Sequence, residues 1–376
     1  MANNLLDRVK NIRMEKNCEV SKYDEAILKL YQNYLLLKND DFDVVSAKKK
    51  FIDYILSIPK EDRFKILGSA QSKYIWGMKP NKETSGKILN AINEDRIVLF
   101  GEDAFLRSIV TPAQLLEQDK KHYLYACGYI LDDLTAYFDA TRPSRMEKII
   151  NSSFEVTQEQ KERTRKVIKK IIDNKISKYN NQPIFEPNIG RKGAKKVLVI
   201  DQSYRDYSIL KGCADDSTFE NMLKAAIEEN PEADVIIKTH PDTIGTNSIK
   251  PKCYYRNIKS HDNIYRLTEA INPLSIINYV DKVYVCSSQF GFEALMCNKE
   301  VHTFGMPFYA GWGLTIDAQK CDRRNRTRTL EELFYIAYIY MAQYINPKKN
   351  EPCEIEDAIN YLIEARNEYF SNEVNT

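Results

Sequence analysis

Apolar side chains fall at helical spacing through the first sixty residues. Ile27, Leu30, Tyr31, Tyr34 and Leu35 stand at i, i+3, i+4, i+7 and i+8. After a polar break at 39–41 the pattern resumes in Val44, Ala47, Phe51 and Ile55. This spacing predicts a helical extension over residues 1–62, packed as a hairpin on the following domain or on a partner. From Phe64 short apolar runs that end in polar residues alternate with helical stretches. Strands are predicted at 73–76, 96–100, 122–127 and 135–139, a helix at 85–93 capped by Ser85, and a long basic helix at 158–178. A stretch rich in Pro, Gly and Lys at 182–196 has little to bury and marks a domain boundary. Strands then follow at 197–200, 234–238, 283–286 and 301–304, with helices at 219–229, 273–280 (opening on its proline), 292–298, 329–344 and 354–369. The alternation predicts doubly wound α/β domains on either side of the boundary.

Composition narrows the function. The chain has 376 residues, 43% hydrophobic and 29% charged, enough for two globular cores. A net charge of +2 argues against a nucleic-acid partner held by bulk basicity. The longest apolar candidate, 333–342, is too short to span a bilayer, and MANNLLDRVK lacks the apolar core and cleavage site of a signal peptide. Eight cysteines form no CxxC pair and read as reduced thiols. A cytoplasmic protein is expected. Asp41 and Asp43 are a poor metal-binding pair in so charged a segment, and no metal site is expected.

In an open parallel sheet, ligands sit at the carboxyl ends of the strands. Glu102, Gln202, His240 and Ser287 all stand at predicted strand ends. Around Ser287–Ser288 a strand stops and a helix opens, leaving backbone N–H groups and hydroxyls suited to a phosphate; serines are equally common helix caps. His240–Pro241 ends an apolar strand, a setting that fixes the backbone and aims the imidazole off the sheet edge. Glu293 could accept from ribose hydroxyls or face solvent. Glu102–Asp103 and Asp206 belong to different domains; across a cleft they could serve as acid/base and nucleophile, and otherwise as loop residues capping helices. Arg323, Arg324, Arg326 and Arg328 form a basic cluster beside Gly311-Trp312-Gly313, which is either solvated or able to attract an anionic substrate or lipid head group.

Several strings together resemble the KpsC-type capsule polysaccharide β-Kdo transferases: EDAFLRS (102–108), YFDATRPSRMEK (137–148), DQSYRD (201–206), KTHPD (238–242), SSQFGFEAL (287–295), FGMPFYAGWGLT (304–315) and RRNRTRTLEEL (323–333). The resemblance implies a GT-B fold: two Rossmann-like domains, an acceptor domain at 63–185 and a CMP-sugar domain at 195–347, with the active site between them and a closing helix at 348–376. It implies CMP-Kdo as donor, transfer with retention, and no metal or other cofactor. Carried over, Asp206 would be the nucleophile and Glu102 the acid/base. His240, Ser287 and Ser288 would hold the CMP phosphate, with Lys238, Pro241 and Gln202 beside it, and Glu293 the ribose. Asp103, Arg107, Arg142, Tyr309 and Trp312 would lie near the acceptor or donor sugar.

The same resemblance implies a glycan or glycolipid acceptor, no nucleic acid, and a place at the inner face of the cytoplasmic membrane with the extension as a surface for capsule-assembly partners. Ala104 stands where the family's acidic pair is normally followed by glycine, which would cost about 1 kcal/mol if that position needs φ > 0. A different CMP-nonulosonic acid donor, or an inactive glycan-binding subunit of the same fold, are the alternatives.

Overall fold

The computed structural model describes residues 27–31, 34–35, 44–58, 74–77, 82–111, 114, 118–239, 253–260 and 262–373. His240 and Pro241, with most of the helical extension, lie outside the described residues. The first half holds helix α1 (Val44–Leu56), strand β1 (Tyr74–Trp76), α2 (Lys82–Asn93), β2 (Leu99–Asp103), β3 (Gly128–Asp132), α3 (Arg145–Asn151) and α4 (Gln158–Asp173). The second runs β4 (Lys196–Ile200), α5 (Tyr207–Lys211), α6 (Asp216–Glu228), β5 (Asp234–Lys238), β6 (Ile264–Leu267), α7 (Pro273–Tyr279), β7 (Lys282–Val285), α8 (Phe290–Met296), β8 (Glu300–Thr303) and β9 (Ile316–Asp317). Helix α9 (Leu330–Phe334) continues as a π-helical turn, and β10 (Ala342–Asn346), β11 (Glu351–Cys353) and α10 (Ile355–Glu373) close the chain.

Two sheets result. The second has six strands in the order β6-β5-β4-β7-β8-β9, all parallel, as the strand–helix alternation predicts. β4 and β5 are buried at every position, which explains why KVLVI and DVIIK read as unbroken apolar runs. The first sheet, order β1-β2-β3-β10-β11, departs from the doubly wound expectation, since β1 and β2 are parallel and every other pairing is antiparallel. The physical reason is the β2–β3 connection. Among its described residues it holds a 3₁₀ helix, Gln118–Leu124, where strand 122–127 is expected, and no crossover helix of the kind a parallel pair requires. Residues 135–139 are turns rather than a strand, because Asp132 Oδ1 accepts from the N–H groups of Leu134 and Thr135 and folds the chain back. Tyr344, expected at the end of a helix, is instead paired with Gly128, because the helix stops at Met341 and the chain re-enters the first sheet.

One hydrophobic cluster joins the layers. It includes Phe105 and Ile130 from the first half, Leu198, Val283 and Phe308 from the second, and Tyr338 and Leu362 from the closing segments. Phe105 packs on Phe308 at 4.7 Å and stacks on Tyr338 at 4.5 Å between ring centroids, so the face after β2 is welded to the far sheet. The extension packs on the first sheet: Ile27, Tyr31 and Tyr34 are buried with Ile75, Val98 and Phe100, and Val98 N–H donates to Tyr31 Oη at 2.7 Å. No described helix is long and apolar enough to cross a membrane.

Candidate active site

A cleft of about 560 Å³ opens where the strand ends of the two sheets meet. Glu102, at the end of β2, lines it from one side; Gln202, Asp206, Ser287 and Ser288 line it from the other, with Tyr309 in the floor. The carboxyl-end rule thus holds across both sheets.

Each polar group there is held by short-range bonds. Gln202, just past β4, accepts from Ser287 N–H (3.0 Å) through Oε1 and donates Nε2 to Ser287 Oγ (3.2 Å), tying the end of β4 to the end of β7. Ser288 Oγ accepts from Phe290 N–H at 3.2 Å, and Ser288 C=O accepts from Tyr309 Oη. Gln289 Nε2 donates to Phe105 C=O at 2.8 Å and so spans the seam. Gly291 needs its missing side chain, for a Cβ there would meet Tyr309 Oη at 2.2 Å. Asp206 is the N-cap of α5, and Arg205 before it takes φ 59° to turn the chain into that cap.

The electrostatics separate the two carboxylates. Burial first, then Asp103 and, more weakly, Asp206 push Glu102 up to about 8, partly opposed by Lys178. Glu102 therefore carries its proton in the free protein at neutral pH. Tyr137 beside it is pushed up to about 12 by burial, and stays a neutral hydroxyl.

Other sequence-derived candidates lie away from the cleft. Glu293 is buried in α8, accepts from Ser177 Oγ at 2.6 Å, is raised to about 7 by burial, and is not among the residues that line the cleft. Lys238 is buried and donates to Thr239 C=O and Glu269 C=O. Asp103 and Arg107 form a 2.7 Å ion pair, and Arg142 donates to Asp139 at 3.0 Å. Trp312 is fully buried, its Nε1 donating to Phe308 C=O. Three of the four arginines in the cluster are taken up by internal bonds. Arg323 and Arg324 both pair with buried Glu147, and Arg324 also donates to Pro307 C=O and Ala310 C=O. Arg328 donates to Ile150, Ser152 and Phe154 carbonyls. The resemblance flagged this string as a motif; its job in the structure is to clamp the 304–315 loop onto α3.

Sequence reasoning missed Lys178, Tyr137, Tyr179 and Gln289, all of which line the cleft. Tyr137 opens the string YFDATRPSRMEK, whereas Lys178 falls at the end of the helix expected over 158–178, which in the structure ends at Asp173. Ala104 has an ordinary negative φ and is fully buried, so the missing glycine brings no backbone strain. Space for its methyl comes from the facing Gly128, where a Cβ would meet Ala104 Cβ at 2.9 Å.

The family model described as "Capsule polysaccharide biosynthesis protein" matches residues 166–348. The capsule polysaccharide modification protein LipA of Neisseria meningitidis serogroup B is 36% identical over 302 residues, 76% of this chain and 40% of that protein. The lipopolysaccharide-processing protein LpsZ of Rhizobium meliloti is 36% identical over 270 residues, 71% of this chain and 58% of that protein. The chain thus spans about half the length of the curated relatives it matches. Among solved structures, the β Kdo 2,4 transferase of Thermosulfurimonas dismutans KpsC is 40% identical with a TM-score of 0.69, covering 77% of this chain and 86% of that one. The β Kdo 2,7 transferase of the same KpsC is 26% identical with a TM-score of 0.53, covering 85% and 96%. With this identity and coverage, joined to the motif strings that build the cleft, the chain belongs to the KpsC-type family of capsule polysaccharide proteins.

Proposed function

We propose that this chain is a retaining glycosyltransferase of GT-B arrangement that moves Kdo from CMP-Kdo onto a glycan or glycolipid acceptor with a β linkage, in capsule polysaccharide synthesis. The observation that carries the reading is the meeting of Glu102 and Asp206, from different sheets, in one cleft. Similarity to structures titled β Kdo transferases supports the choice of sugar.

The chemistry follows from the two carboxyl groups. A carboxylate oxygen of Asp206 bonds to the anomeric carbon of Kdo as the bond to the CMP phosphate breaks, and CMP leaves with the electron pair. Ser287 and Ser288 offer hydroxyls to that phosphate, with His240 as a further expected donor, so no metal is invoked. The acceptor hydroxyl then bonds to the same carbon, its proton passes to Glu102, and the ester to Asp206 breaks. Two inversions leave the configuration retained. Glu102, protonated in the free protein, must first release its proton to solvent so that it is ionised for the second step. Once Asp206 is esterified its negative charge is gone, and with it one of the influences that holds Glu102 near 8. Formation of the intermediate thus prepares the base that resolves it.

The test is intact mass spectrometry after incubation with CMP-Kdo. Glu102→Gln should accumulate a single Kdo adduct that peptide mapping places on Asp206, and Asp206→Asn should show none. If CMP-Kdo yields neither adduct nor CMP while CMP-sialic acid does, the sugar assignment is wrong and the mechanism stands. If neither donor reacts, the chain is not a transferase of this class.

A further inference from the structure

Lys178 stands in the cleft wall without a counter-ion among the described residues. It is the one basic side chain among the described residues that line the cleft. Asp103, the nearest acid to influence it besides Glu102, is already paired with Arg107 at 2.7 Å. Its Nζ lies 5.9 Å from the centroid of the Tyr179 ring, and among the described residues no acid comes within ion-pair distance. Burial disfavours the ammonium; the ionised Asp103 nearby favours it, and the group titrates above the usual lysine range.

The backbone that carries Lys178 is fixed from both halves of the molecule. Its C=O accepts from Arg107 N–H and Ser108 N–H, each at 3.2 Å, in the segment that follows Glu102. Its N–H donates to Glu293 on the second-sheet side, and Ser177 Oγ donates to the same carboxyl at 2.6 Å. Asn180 adds a clamp: Nδ2 donates to Ser108 C=O (3.0 Å) and Ser177 C=O (2.9 Å), and Oδ1 accepts from Ser177 N–H (3.0 Å). The cation is thus carried on a backbone hydrogen-bonded to both halves of the molecule, so only its own side chain has to be ordered when an anion binds.

The substrate class supplies such an anion. A 2-keto sugar acid carries a carboxylate on the same carbon that Asp206 attacks, so the reaction brings two negative groups together beside Glu102. We propose that Lys178 binds this carboxylate and so selects 2-keto sugar acids over neutral sugars, an inference that rests on the donor reading above. Glu293, expected at the ribose, becomes a positioning residue for Lys178.

Calorimetric titration of wild type, Lys178→Gln, Lys178→Met and Lys178→Arg with CMP-Kdo and with CMP separates the possibilities. CMP shares the nucleotide and phosphate but lacks the sugar carboxylate, and its binding also reports that each variant is folded. The expected result is a 10- to 100-fold loss for CMP-Kdo in the Gln and Met variants, CMP unchanged within about twofold, and most of the affinity kept by the Arg variant. Equal losses for both ligands in folded variants would place the cation on the phosphate and overturn the proposal, as would no loss for either. Wild type that binds CMP but not CMP-Kdo would overturn the donor reading, and this inference with it.

Discussion

Asp206 begins its own helix with one oxygen only: Oδ1 accepts from Ser208 N–H at 2.9 Å and from Ser208 Oγ at 2.5 Å, while Oδ2 has no hydrogen-bonded partner among the described residues. The cap fixes the carboxylate and leaves one oxygen for attack. Asparagine caps as well as aspartate, whereas alanine does not. Asp206→Asn should therefore melt within a degree or two of wild type and Asp206→Ala should lose about 1 kcal/mol, while both lose transfer by at least about a thousandfold. Differential scanning fluorimetry beside a CMP-release assay checks both halves. A fully active Asp206→Asn would end its role as nucleophile.

Glu102 should titrate near 8 in the free protein, followed by carboxyl ¹³C NMR. In Asp206→Asn the midpoint should move down, since one negative neighbour has gone; Asp103→Asn should move it further, because Asp103 is the stronger influence. An unmoved midpoint in Asp206→Asn would break the link between ester formation and base strength.

Raised carboxyls also set how stability depends on pH. Glu102 (about 8) and Glu293 (about 7) both lie above the 4.5 usual for glutamate, through burial first. The folded protein binds more protons than the unfolded chain between those limits. Their stabilising effect is complete below about pH 4.5 and is lost as pH rises through 7 to 8. Glu293→Gln keeps an acceptor for Ser177 and removes the ionisation, so it should gain on the order of 1–3 kcal/mol over wild type at pH 8.5 and nothing at pH 5. Denaturant melts at the two pH values read the difference; equal effects at both would contradict the assignment.

Glu147 holds two arginines in a site where Arg324 is almost fully buried. Truncation leaves buried guanidinium charge uncompensated. Glu147→Ala should cost about 3–5 kcal/mol and loosen the 304–315 loop, visible as faster amide hydrogen exchange at Gly311–Gly313. Unchanged protection there would show that the loop does not depend on the clamp.

At Gly291 an added methyl would collide with Tyr309, whose hydroxyl anchors Ser288 C=O. Gly291→Ala should cost about 1–3 kcal/mol and weaken CMP binding several-fold by shifting Ser288. Calorimetry with CMP decides whether the phosphate seat depends on that anchor.

The four inner strands of the second sheet were legible because buried parallel strands announce themselves as apolar runs, and 234–238 is the same segment in sequence and structure; the half-exposed edge strands β6 and β9 were not. The first sheet was not. Its β3–β10 pairing joins Gly128 to Tyr344, more than two hundred residues away, and no local pattern records a partner at that distance. The cleft was half legible. Residues at strand ends were found because position in an open sheet predicts them. Lys178 was hidden because its place follows from side-chain bonds of Asn180, Ser177 and Glu293 rather than from any element. The arginines show the converse: a charge run in sequence became an internal fastening once Glu147 was seen beneath it.

Because β10 returns to the first sheet only after the second is complete, β3 waits for most of the chain before its outer edge is covered. A fragment ending at Met341 would present that bare edge to other molecules and invite strand-to-strand association. A truncation that keeps this edge covered must therefore retain β10. During synthesis on the ribosome the first sheet stays unfinished while the second can already fold, which makes the last strands to emerge the ones that seal the molecule.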